Sequence, residues 1–145
     1  INVLTRINTP NEVLEQESPP GKYIFKRYEM ISKGFFPLQQ EITEAFEKSK
    51  EKLLVFTYQS DRTSFTSELS NEMLYRHPNN VLIVAREKNE EMKCSIRSTK
   101  EILPPLLKKA LAGLEGYGGG HEHACGANIP SHNFDEFVER LKKLI

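Results

Sequence analysis

The sequence predicts an α/β fold: a mixed, mostly four-stranded sheet built on a βαβ unit plus a hairpin strand, with helices packed on its faces. Three observations predict it. The short apolar runs Leu53-Leu54-Val55-Phe56 and Val81-Leu82-Ile83-Val84-Ala85 have the length and branched content of strands buried on both faces. Between them Phe65, Leu69 and Met73 recur at helical spacing, so a crossover helix joins two parallel strands with right-handed connection. After the charged turn at 86–91, Met92, Cys94 and Ile96 alternate with Lys93, Ser95 and Arg97, the pattern of a third, antiparallel strand, which is placed at a sheet edge.

The remaining elements follow in order. Residues 1–22 carry Pro10, Pro19, Pro20 and Gly21, which predicts an irregular connector with one short helix after Thr9-Pro10. From Tyr23 to Lys33, Ile24, Tyr28 and Ile31 share a helical face. Pro37 then opens a further helix with Leu38, Ile42, Ala45 and Phe46 on one stripe, ending near Lys50. Residues 1–50 are thus read as a linker and helical segment, and 51–145 as the domain. Within the domain the strands are 53–58, 81–85 and 92–97, and the first helix is 65–75. Ser98 and Glu101 have capping-box spacing, but Pro104 and Pro105 fit only a first helical turn, so the next helix starts near Ile102 and carries Leu103, Leu106, Leu107, Ala110, Leu111 and Leu114. Gly113, Gly116, Gly118, Gly119 and Gly120 break it. Residues 124–129 form a short strand, and Asn133 caps a last helix whose core face is Phe134, Phe137, Val138, Leu141 and Leu144.

A chain of 145 residues buries one core. Its longest apolar runs fall far short of the roughly 20 residues that span a bilayer, which argues against a membrane helix. Lys plus Arg and Asp plus Glu are 20 each, so no global field draws the protein to a polyanion, and anion binding has to be local. Cys94 and Cys125 do not make a disulfide framework, and residues 1–6 lack a signal pattern, which together predict a reducing, cytoplasmic location. Ile1 in place of an initiator Met suggests an excised or truncated start.

Four groups of residues are candidates for chemistry. In Gly116-Tyr117-Gly118-Gly119-Gly120-His121, consecutive glycines let backbone N–H groups converge on a phosphate or carboxylate; equally, such a run is a turn leaving a helix. No Lys-Ser/Thr follows, so it is not a P-loop. Arg97, ending a strand beside Lys93 and Ser95, suits bidentate phosphate recognition or is an exposed edge charge. Thr57, Ser60, Asp61, Arg62, Thr63 and Ser64 lie at the C-terminal end of the first strand, where open sheets place ligands; they also suit a turn and helix cap. His121, His123 and Cys125 would point to one side of an extended chain and are all zinc-ligand types, although a fourth ligand would have to come from Cys94. Asp61 and Asp135 cannot be placed beside a histidine for a Ser-His-Asp arrangement, and His77 and His132 receive no role.

The order strand, helix, strand, hairpin strand, then Cys94-Ser95-Ile96-Arg97-Ser98, helix, and Gly118-Gly119-Gly120-His121 with Ala124 and Gly126 resembles the C-terminal, DHH-associated domain of DHH-family phosphoesterases, RecJ-like or oligoribonuclease-like. The match spans Leu53 to Ile145. The resemblance implies a substrate-binding role for Arg97, Ser98, Gly118, Gly119, Gly120, His121, His123 and Gly126, with single-stranded nucleic acid or a nucleotide as the partner. It implies no catalytic residue and no metal ligand here: a separate N-terminal DHH catalytic domain would bind a manganese pair through an Asp-His-His motif, which this sequence lacks. The sequence departs from the family at Glu122 and Cys125, where many members have proline or alanine. An isoelectric point near 7.1 argues for contact with only a few terminal nucleotides. Two other readings stand beside this one: a metal-binding module using His121, His123 and Cys125, and a protein-interaction module exposing the helix 102–114 or the segment 23–36.

Overall fold

The computed structural model describes residues 2–60 and 63–145. They fall into two compact units, Ile1–Gln40 and Glu41–Ile145. In the first, a 3-10 turn at Leu4–Arg6 precedes helix α1 (Asn11–Leu14) and the greater part of helix α2 (Pro19–Lys48). The Glu12 carboxylate closes the connector: it accepts the Asn8 backbone N–H at 2.9 Å and the Ser18 hydroxyl at 2.8 Å. Those bonds, the Ser18 hydroxyl foremost, hold its pKa below the usual carboxylate value.

Pro37 does not open a helix; α2 runs through it. The ring forfeits one backbone bond, and the helical residues on both sides carry the helix past the gap. The final turns of α2 belong to the second unit, where Ile42 and Phe46 are buried.

The second unit continues with β1 (Leu53–Gln59), α3 (Thr66–Arg76), β2 (Val81–Lys88), β3 (Glu91–Arg97), α4 (Leu103–Ala110), β4 (Tyr117–His121), β5 (Ala124–Pro130) and α5 (Ser131–Lys142). The sheet has five strands in the order β1-β2-β3-β5-β4, one more than expected. β1 and β2 are parallel across α3 as predicted, and the other pairs are antiparallel. β3 is central, not an edge, because β5 pairs along its far side.

The additional strand is the glycine run. It forms no loop: Tyr117 to His121 pair residue by residue with Asn128 to Ala124. Glycine is a poor strand former, and steric need explains several of these positions. A Cβ on Gly118 would lie 2.9 Å from both the Gly126 carbonyl oxygen and the Leu107 Cδ2, so α4 packs directly onto the strand's backbone there. Gly116 and Gly120 have φ of +132° and +151°, conformations that side chains disfavour.

One face of the sheet packs on α4 and α5, with Ile83, Ile96, Ile129, Leu103, Leu107 and Phe137 at the centre of that core. Across the other face α3 lies over β2 and β3, burying Leu69 and Met73. Several boundaries differ from expectation. Ser98 does not cap α4; its oxygen accepts the N–H groups of Lys100 (3.2 Å) and Glu101 (3.0 Å) in the turn before it. Ile102 is the N-cap, and α4 stops at Ala110, short of 114. α5 begins at Ser131, after Pro130, so Asn133 lies in its first turn and not at its cap. Leu144 falls beyond the helix and is 37% exposed.

Candidate functional site

Strand register assembles the candidate site. Across β4, β5 and β3 the aligned rows are Tyr117–Asn128–Lys93, then Gly119–Gly126–Ser95, then His121–Ala124–Arg97. Side chains alternate faces, so all three rows share one face, opposite the core residues Cys125, Ala127 and Ile129. α3 covers that face over β2 and β3. Over β5 and β4 it is open: Gly126 and every residue of β4 are exposed.

The floor of this open half is flat. A Cβ on Gly119 would meet nothing within 4 Å, and one on Gly126 would reach only the Cys94 carbonyl oxygen at 3.6 Å. Neither residue has a positive φ. Unlike Gly116, Gly118 and Gly120, these cross-strand partners are not required by the chain's own packing or backbone. A hollow of about 420 Å³ lies over them, bounded by Lys93, Tyr117 and Asn128.

At the opposite end stand Arg97 and His121, two strands apart, roughly 10 Å between backbones at ordinary strand spacing. Only Ala124 separates them in the row. Arg97 is held in place: Nε donates to Asn71 Oδ1 at 2.9 Å, and Nη1 donates to the carbonyls of Ile96 at 3.0 Å and Cys125 at 3.2 Å. Burial lowers its pKa somewhat, but an arginine stays charged in proteins. With the guanidinium fixed and the exposed His121 in the same row across a small residue, the N–H groups of Nη2 and the imidazole can serve one phosphate.

Of the residues expected at a site, Arg97, Gly119, His121 and Gly126 share this surface. Gly118 and Gly120 turn towards the other face and bring only backbone. Ser98 is buried in its turn. His123 sits on the β4–β5 hairpin, with Nδ1 3.2 Å from the Glu101 carbonyl oxygen. The proposed zinc trio is not assembled: the chain reverses between His121 and Ala124, and Cys125 points into the core. Among the described residues no group of three or more His, Cys, Asp or Glu side chains could hold a metal ion. The hydroxyl cluster after β1 lies at the far edge of the sheet from β4, where the Ser60 hydroxyl caps the Thr63 carbonyl; Asp61 and Arg62 are outside the described residues.

Asn128 and Asn71 line or brace the site without having been expected there, while Tyr117, inside the candidate glycine stretch, and Lys93, beside Arg97, had been given no role of their own. Tyr117 shares the period of Gly119 and His121, a signal visible only once the glycine run is taken as a strand. Asn128 has its Nδ2 fixed by Glu91 Oε2 at 3.1 Å, whereas its Oδ1 is buried and has no hydrogen-bond partner among the described residues.

The sequence profile of the family described as DHHA1 domain matches residues 40–145. No curated protein sequence matches the chain. Among the solved structures that share its fold, three are the following. RecJ in complex with Mn2+ from Thermus thermophilus aligns with a TM-score of 0.65 at 14% identity, over 86% of this chain and 19% of that one. The pGpG-specific phosphodiesterase PggH from Vibrio cholerae aligns with a TM-score of 0.57 at 16% identity, over 88% and 42%. The C-Ala domain of Aquifex aeolicus alanyl-tRNA synthetase aligns with a TM-score of 0.55 at 20% identity, over 66% and 92%. The chain therefore spans about a fifth of the RecJ chain, less than half of the PggH chain and most of the C-Ala domain.

Proposed function

This chain belongs to the DHHA1 domain family, and on that premise we propose that its uncovered half-sheet holds a phosphate of a nucleotide or of a short single-stranded nucleic acid. The related folds come from proteins whose names point to nucleic acid or dinucleotide substrates: a RecJ named an exonuclease in a further structure, a phosphodiesterase specific for pGpG and an alanyl-tRNA synthetase. The observation that carries the proposal is the pair of unforced glycines, Gly119 and Gly126, exposed beside a guanidinium that Asn71 and two carbonyls fix in place.

In this reading the phosphate sits over Ala124, between Arg97 and His121, and the sugar-phosphate backbone lies along the glycine floor, where no side chain obstructs it. Arg97 contributes a charge that is already oriented, so little ordering cost remains on binding. Ser98 and His123 act indirectly, by shaping the turns at either end of α4's approach. Cleavage belongs to a metal-bearing DHH domain elsewhere in the protein. That domain's manganese pair would activate the attacking water, and no step of that chemistry falls to the residues described here. Alone, the chain binds without cutting.

The test is calorimetric titration of a 5′-phosphorylated single-stranded oligonucleotide and its unphosphorylated counterpart at low salt. The phosphorylated ligand is expected to bind more tightly. His121→Ala should weaken it about tenfold, the loss of a hydrogen bond to a charged group, with thermal stability unchanged because the side chain is exposed. Loss of folding in that variant, or binding indifferent to the phosphate, would count against the proposal.

A further inference from the structure

The phosphate end accounts for only part of the open surface. Four residues further along the same strands, about 13 Å at ordinary strand rise, lies the row Tyr117–Asn128–Lys93, and the 420 Å³ hollow belongs to that row. Tyr117 is 72% exposed on the edge strand, with its ring free of aromatic partners among the described residues. Lys93, also exposed, provides a second cation on the strand that carries Arg97. A planar floor without Cβ atoms, an exposed aromatic ring at its rim and a cation beyond it make an arrangement for a flat heteroaromatic group attached to a phosphate.

Resting on the phosphate reading, we propose that the Tyr117 end of the slot is a nucleobase subsite. A base of the nucleotide whose phosphate Arg97 and His121 hold, or of its neighbour, stacks on the Tyr117 ring above the Gly119–Gly126 floor, and Lys93 neutralises the adjoining phosphate. The ligand class is therefore a dinucleotide or the terminal two residues of a single strand. Inorganic phosphate or a sugar phosphate fills only the Arg97 end. Stacking engages the face of any base, so the subsite is tolerant of base identity. The alternative for an exposed tyrosine is a solvated edge residue with no ligand, and the empty space over both glycines argues against it.

Two ligands separate this inference from its premise: a 5′-phosphorylated dinucleotide, and the same molecule with both bases removed. Their affinities are measured by calorimetry for the unmodified chain, Tyr117→Ala, Tyr117→Phe and His121→Ala. The unmodified chain is expected to bind the complete dinucleotide about tenfold more tightly than the abasic one. Tyr117→Ala should abolish that ratio while leaving abasic affinity unchanged; Tyr117→Phe, which keeps the ring, should restore it. His121→Ala should weaken both ligands equally. A ratio that survives in Tyr117→Ala, or a ratio of one in the unmodified chain, overturns the base subsite and leaves the phosphate site standing. Insensitivity of both ligands to His121→Ala, or no binding of either, overturns the premise as well.

Discussion

Glycines separate structural need from function at the scale of single residues. Gly118→Ala drives a methyl group against Leu107 and the Gly126 carbonyl, and should cost about 1–3 kcal/mol, measured by urea denaturation. Gly119→Ala meets nothing and should be neutral or stabilising by up to about 1 kcal/mol, because the unfolded chain loses freedom. Yet Gly119→Ala should weaken oligonucleotide binding, since its methyl group occupies the floor. A destabilised Gly119→Ala protein with intact binding would show that this glycine serves the fold. Spacing alone could not distinguish these neighbours: in sequence Gly118, Gly119 and Gly120 are equivalent, and only the strand register tells which of them faces open space. Arg97 and His121 were legible in sequence through the family resemblance. Asn71 was not, because nothing along a helix announces that one of its amides will brace an arginine 26 residues away.

Among the elements, β3 carries the most consequential difference from expectation. Its alternation matches the strand, but alternation says nothing about how many neighbours a strand has: the strand expected at 124–129 pairs along its far side as β5, and the glycine run adds β4 beyond that. The central position leaves Ser95 buried beneath α3. The Ser70 hydroxyl donates to the Ser67 carbonyl at 3.0 Å, so in the 2.8 Å contact between Ser70 and Ser95 the proton comes from Ser95. Ser70→Ala leaves that donor unpaired and should cost about 1–3 kcal/mol, whereas Ser95→Ala removes it and should cost less. Thermal denaturation of the two variants makes the comparison; equal losses would mean that the pair is not what anchors α3 to β3. The βαβ unit and the apolar stripes of the later helices were readable because buried periodicity is local. Helix ends were harder: α5 begins at Ser131, two residues before Asn133, and the Ser98–Glu101 contact forms a turn rather than a cap.

The stability of the second unit as a whole should fall at alkaline pH. Burial pushes the Cys94 thiol up to about 12 from its ordinary value of 9.0. Above pH 9 the unfolded thiol ionises while the folded one stays protonated, so the unfolded state binds fewer protons and stability declines by about 1.4 kcal/mol per pH unit until pH 12. Below pH 9 this contribution is fully present. Cys94→Ala should flatten the decline. Cys125 is raised in the same direction by burial, opposed by Arg97, so neither thiol should react with a thiol reagent before unfolding. A fast-reacting thiol in the folded protein would disprove the packing of that core.

The uncovered half-sheet is the centre of the proposed function, and its occupancy can be mapped without any variant. Amide chemical shifts of the isotopically labelled chain, followed during titration with a 5′-phosphorylated dinucleotide, locate the ligand directly. Perturbations grouped on Arg97, Tyr117, Gly119, His121, Ala124 and Gly126 are the expected result. Perturbations grouped instead at the hydroxyl cluster after β1, or a spectrum that saturating ligand leaves unchanged, would contradict it.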